Sequence, residues 1–152
     1  MQVDSMQLNI LLQVFATVFM TGLIWFVHVV HYALYSRIGA AAWYERAHVS
    51  RTAFVVAPVM IVEAITAILL LPLRPAYVPE WSVWLGLGLL AVIWLLSFLI
   101  LVPQHFLLAG STDPKEIHIV MRVNALRTAL WTARSVLVLW MLAGGLSAPI
   151  TR

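Results

Sequence analysis

Cysteine is absent from the 152 residues, which excludes disulfides, thiolate metal sites and thiol nucleophiles. The redox state of the compartment is therefore left unread. Charge is scarce as well: Asp, Glu, Lys and Arg make up 10% of the chain, against about a quarter in soluble domains. The period-two alternation of a half-buried strand is missing, as are internal repeats and low-complexity tracts. The opening MQVDSMQLN lacks the positive n-region of a signal peptide. The apolar run behind it is accordingly expected to remain as mature structure. The net charge of +3 is read as a topology signal in a membrane chain, and no nucleic-acid partner is expected.

What fills the chain instead is apolar: 63% of residues are hydrophobic and the mean hydropathy is +0.98. Four runs, at about 8–35, 51–71, 81–102 and 119–143, are each long enough to cross a bilayer as a helix. Lipid offers no partner to backbone N–H and C=O groups, so each run must close its bonds within itself. These observations predict an all-α fold, a four-helix transmembrane bundle, forming a single integral membrane domain over residues 1–152. Gly39 breaks the first connection, where Trp43 and Tyr44 are placed as interface anchors, and the second, LPLRPAYVPE, is proline-rich. In the third, Asp113, Pro114 and Glu116 make a helix start. Gly144, Gly145 and Pro149 are expected to end the last helix.

Basic residues orient the bundle. The side reached after the first run holds Arg37, Arg46, Arg51, Lys115, Arg122 and Arg127, six against Arg74 and Arg152 on the other. Positive charge inside then places that side in the cytoplasm and both termini outside. All five histidines, His28, His31, His48, His105 and His118, fall in the same half.

Two charges lie deeper. Glu63 and Arg134 each sit about 12 residues from that side, roughly 18 Å along a helix. A charge at such depth faces a partner or a cavity, so the two are expected to form a buried ion pair. The pair either fixes helix register or floors a working pocket. Spacing supports a shared interior: Thr21, Trp25, His28, Tyr32 and Tyr35 make one stripe, as do Thr52, Glu63 and Thr66, and Arg127, Trp131 and Arg134. Trp94 and Ser97 are the candidates from the third run.

The expected feature is thus a His- and Arg-lined pocket in the cytoplasmic half. Three chemistries fit its residues. A transition metal ion would draw on His28, His31, His48, His105 and Glu63. Haem b would take His28 and His105 as axial ligands, with Arg51, Arg127 or Arg134 for the propionates. A lipophilic redox substrate would use aromatic walls and a proton-carrying His or Glu. No catalytic residue is singled out. A non-catalytic accessory subunit, docked to other membrane subunits or to copies of itself in the bilayer, is the alternative.

The segments HVSRT (48–52), PVMIVE (58–63), VPQH (102–105) and NALRTALWTAR (124–134) resemble those of uncharacterised small four-helix bacterial membrane proteins. That resemblance implies a multi-pass protein of the bacterial inner (cell) membrane. More distantly, the layout is similar to the HemJ-type protoporphyrinogen oxidases, through PVMI (58–61), LAG (108–110) and Asn124. This second resemblance implies haem b and a porphyrin-related role. That family's histidine near the beginning of the first helix has no counterpart in LNILLQVFATVF, and the third run has no lysine.

Overall fold

Backbone groups that cannot reach water pair along the chain, and the apolar runs do so here as helices. The computed structural model describes residues 4–32, 34, 42–108 and 114–146, without the side chains of 42–46, 48 and 114. Among these residues four helices are long and apolar enough to cross a membrane: Ser5–His31, Val49–Leu69, Glu80–Leu108 and Lys115–Leu146. They are called the first to fourth spans below. The described residues contain no strand. The architecture is the all-α four-helix transmembrane bundle that the composition predicts.

The boundaries differ from the expected ones in instructive places. The second helix begins at Ala42, well ahead of its apolar part. The third does not stop at the Val102–Pro103 step but runs to Leu108. Proline lacks the N–H that would bond four residues back; just ahead of it the ladder has already widened, with the Val102 N–H bonding the Ser97 carbonyl five residues back. The fourth helix starts at Pro114 and continues through Gly144 and Gly145 to Leu146. Asp113, Gly39, Tyr35, Arg37 and Pro149 lie outside the described residues, as do the side chains of Trp43, Tyr44 and Arg46.

The first span packs most extensively against the fourth and the second, and the third packs on the fourth. Between the second and third spans the packing is uneven. The second helix approaches the third along Glu80–Leu95 and again along Val102–Leu108, but not along the stretch between. That stretch, Leu96–Leu101, is a π-helix. A second π-helix, Val27–His31, occupies the first span. Both belong to the half of the bundle that carries the histidines.

Three buried apolar clusters stack along the bundle axis. Ile10, Leu70, Val83 and Met141 fill the end near the chain termini. Met20, Met60, Ile93 and Trp131 form a middle layer. Tyr32, Leu101, Leu108 and Val120 close the histidine end. Large apolar side chains such as Phe54, Leu99 and Val136 point outward, as a lipid-facing surface requires. Lipid tails are as apolar as these side chains, so helix association relies on close packing and interhelical hydrogen bonds.

Candidate functional site

The polar groups fall into two sets, one on each side of the middle layer. The first is centred on Glu63, which is fully buried. Its Oε1 accepts hydrogen bonds from Arg134 Nε at 2.9 Å and Thr17 Oγ1 at 2.9 Å. Its Oε2 accepts one from Trp131 Nε1 at 3.2 Å. Arg134 Nη1 donates to the Gly86 carbonyl. Gly86 leaves room for this: a Cβ there would lie 3.2 Å from Arg134 Nη1.

The set continues toward the termini. Gln13 Nε2 donates to Thr17 Oγ1 at 2.8 Å, and Thr66 Oγ1 donates to Gln13 Oε1 at 2.7 Å. Asn9 Nδ2 donates to the Thr66 carbonyl at 3.1 Å. Thr21 and Ser135 bring their hydroxyls to 2.6 Å beside it. All four spans contribute, and every polar atom of Glu63 and Gln13 has a partner. A buried charge pair is tolerable only on these terms.

On the other side of the middle layer lies a cavity of about 440 Å³. Its walls are mostly apolar, with Met20, Ile24, Met60 and Leu101 among them. Ala53, Ala57 and Ile61 of the second span and Phe98 and Val102 of the third also border it, and all five are exposed on the outside of the bundle. The cavity therefore opens sideways, where the π-helical stretch of the third span stands off from the second. π-helical turns frequently occur at functional sites, and here residues from both of them line the cavity, Val27 from one and Ser97, Phe98 and Leu101 from the other.

One region of the wall is polar. Tyr32, Thr52, His105, Asn124 and Arg127 line it. Tyr32 Oη and His105 Nε2 lie 3.4 Å apart. Asn124 is fully buried and Arg127 is 6% exposed. Arg127 Nη1 donates to Asn124 Oδ1 at 3.4 Å, and its guanidinium lies 4.9 Å from the Trp131 ring centre. Arginine can only donate, so this bond also fixes the orientation of the Asn124 amide. Its Nδ2, with Arg127 Nε and Trp94 Nε1, is buried without a partner among the described residues. Every such atom on a residue lining the cavity is an N–H donor.

The structure separates the residues singled out from the sequence. Glu63 and Arg134 come together, but they lie behind the middle layer and do not line the cavity. They are sealed by Trp131, which touches both sets. Arg127 and His105 line the cavity, whereas His28 and Arg51 do not. Arg51 is exposed, and so is His118. His28 stands edge-on to Trp25, with ring centres 6.3 Å apart, and its Nδ1 is buried without a partner among the described residues. His31 is buried, its ring 5.1 Å from that of Tyr32. The His48 side chain lies outside the described residues.

The π-helix explains the fate of the first-span stripe. Two α-helical turns would keep Trp25, His28 and Tyr32 on one face. The Tyr32 N–H instead bonds the Val27 carbonyl five residues back, which rotates the residues beyond it. Trp25 ends on the outside and Tyr32 inside. Among the described residues no three His, Asp or Glu side chains gather as a metal site. Of the residues named for haem, His105 and Arg127 line the cavity, and His28, Arg51 and Arg134 do not.

Asn9, Gln13 and Thr17 do not stand out as charged or histidine side chains do, yet with Thr21 they form a polar ridge at strict four-residue spacing in an apolar helix. That spacing is the signal by which the sequence marks them. The Gly86 carbonyl carries no sequence signal of this kind.

No family model, curated protein or solved structure matches the chain. Fold and composition define its class: an α-helical, multi-pass integral membrane protein.

Proposed function

We propose that this protein binds a lipophilic molecule within the membrane, with the molecule's apolar body entering between the second and third spans. Its polar head meets Asn124, Arg127 and Trp94. The observation that carries this reading is the sideways-open apolar cavity with unpartnered N–H donors on its lining residues. Ligand sites are largely apolar and carry a few polar groups that orient the ligand, in volumes of about 300–1,000 Å³. A lipid-soluble ligand supplies the apolar body, and an acceptor head satisfies groups that are costly to leave unmade. Of the three chemistries that the residue types admit, this is the lipophilic one. Tyr32 and His105, side by side at the polar wall, would supply a proton-carrying pair if the bound molecule is reduced or oxidised there.

The test is to purify the protein in neutral detergent and identify lipid-soluble molecules bound to it by mass spectrometry. The same measurement is made on Ala57→Trp, which fills the cavity mouth from the second span. The wild type should retain a defined molecule, and Ala57→Trp should lose it at unchanged melting temperature. Equal retention by the two proteins would refute the reading.

A further inference from the structure

Resting on the reading above, we infer that the occupant of the cavity is an anionic amphiphile: a single apolar chain ending in a carboxylate or phosphate. The argument begins with charge. Within the sealed set, Glu63 and Arg134 cancel one another. Arg127 has no carboxylate counterpart among the described residues; around it are Asn124, bonded at 3.4 Å, the Trp131 ring and the Tyr32 phenol. Arg127 stands on the fourth span seven residues before Arg134, about 10 Å by helical rise. An arginine near a helix end can snorkel its charge to the headgroups. Arg127 is instead held inside the bundle, 6% exposed, with its guanidinium turned against Trp131.

Such a charge within a membrane normally faces a partner or a water-filled cavity. The cavity is mostly apolar, and Arg127 lines its polar region. A negative head would supply the missing counter-charge. The guanidinium fork matches carboxylate and phosphate oxygens in paired hydrogen bonds. Asn124 and Trp94 add N–H donors on the same lining, and among the described residues there no buried side-chain acceptor is left unpartnered. Donors alone select an acceptor head, and the unmatched positive charge selects an anionic one over a neutral carbonyl. A cavity of about 440 Å³ is near the lower end of the usual range for ligand sites. That size suits one chain better than two.

Native mass spectrometry of the full chain in neutral detergent tests this with three amphiphiles that share one chain: oleate, monooleoyl phosphatidate and monoolein. A decyl-substituted benzoquinone serves as the neutral carbonyl head. One or both anions should bind about tenfold tighter than monoolein and the quinone, given the greater strength of charge-assisted bonds. Dominance of oleate identifies a carboxylate head, and dominance of monooleoyl phosphatidate a phosphate. Equal tightening by both identifies the charge itself. The preference should vanish in Arg127→Gln and persist in Arg127→Lys. The wild-type titration decides the matter even if Arg127→Gln fails to fold. Equal binding of all four probes, or tighter binding of the quinone or monoolein, overturns this inference while leaving the proposed function in place. Binding of none overturns both. A preference that survives Arg127→Gln removes Arg127 from the recognition.

Discussion

Arg134 and Arg127 lie seven residues apart on the fourth helix, two turns along one face, with Trp131 between them. Around Arg134 the bundle is closed: a carboxylate at 2.9 Å, the Gly86 carbonyl, and a chain of side-chain bonds that reaches Asn9. Around Arg127 it is open: a long bond to Asn124, an aromatic face, and a cavity leading sideways between two helices. The same residue type, on the same helix, thus holds the bundle together in one half and borders a cavity in the other. Backbone regularity follows the same division. The first and third spans are α-helical in the closed half and turn π-helical in the open one. The lesson is that buried polarity in a membrane bundle divides by satisfaction. Groups with every partner in place serve cohesion, and Asn124, Arg127 and Trp94, each with an N–H that has no partner among the described residues, line the cavity.

The sharpest way to break this comparison is to remove one partner of the closed set. Glu63→Gln and Arg134→Met should each cost about 3–5 kcal/mol, because either leaves a buried group without its counterpart. The double variant should recover much of that loss, since no buried charge is then left without its counterpart and the amide oxygen introduced by Glu63→Gln can still accept from either Thr17 or Trp131. Thermal unfolding of the four proteins in detergent gives the coupling energy, and additive losses would mean that the pair does not act as a unit.

Next in size is Gly86→Val. A Cβ at this position already meets Arg134 Nη1 at 3.2 Å, and a branched side chain would push the guanidinium off the Gly86 carbonyl. The expected loss is about 1–3 kcal/mol, with Gly86→Ala markedly milder in the same unfolding assay. Gln13→Leu should cost a similar or smaller amount, roughly 1–3 kcal/mol, by leaving Thr17 and Thr66 without their amide partner. If Gln13→Leu unfolds at the wild-type temperature, the ridge from Asn9 to Thr17 is dispensable and the closed set reduces to the ion pair.

The smallest effect is expected at Arg127 itself. With no carboxylate to strand, Arg127→Met in the ligand-free protein should change stability by less than about 1 kcal/mol, or raise it, because replacing a poorly compensated buried charge by a hydrophobe is often neutral or favourable. Set beside Arg134→Met, this is the direct contrast between the two halves. Equal losses for the two substitutions would show that both arginines are structural.

Much of this protein is legible in the sequence, for a physical reason. Lipid forces the backbone into helices, so the number of spans follows from apolar run length alone. A carboxylate and an arginine at matching depth require each other, and Glu63 and Arg134 could be named as partners before any coordinates. The face shared by Arg127, Trp131 and Arg134 follows from α-helical spacing, which holds throughout the fourth span.

The tertiary structure decided the rest. Periodicity cannot anticipate a π-helical turn, and one such turn separates Trp25, on the outside of the bundle, from Tyr32 inside it. Depth along a helix says nothing about what separates two residues laterally. The floor expected for the pocket therefore proved to be a sealed set behind Met20, Met60, Ile93 and Trp131. The cavity exists because the second and third helices part along Leu96–Leu101. That separation is a property of packing between helices, whereas the sequence by itself determines what each helix would tolerate in lipid.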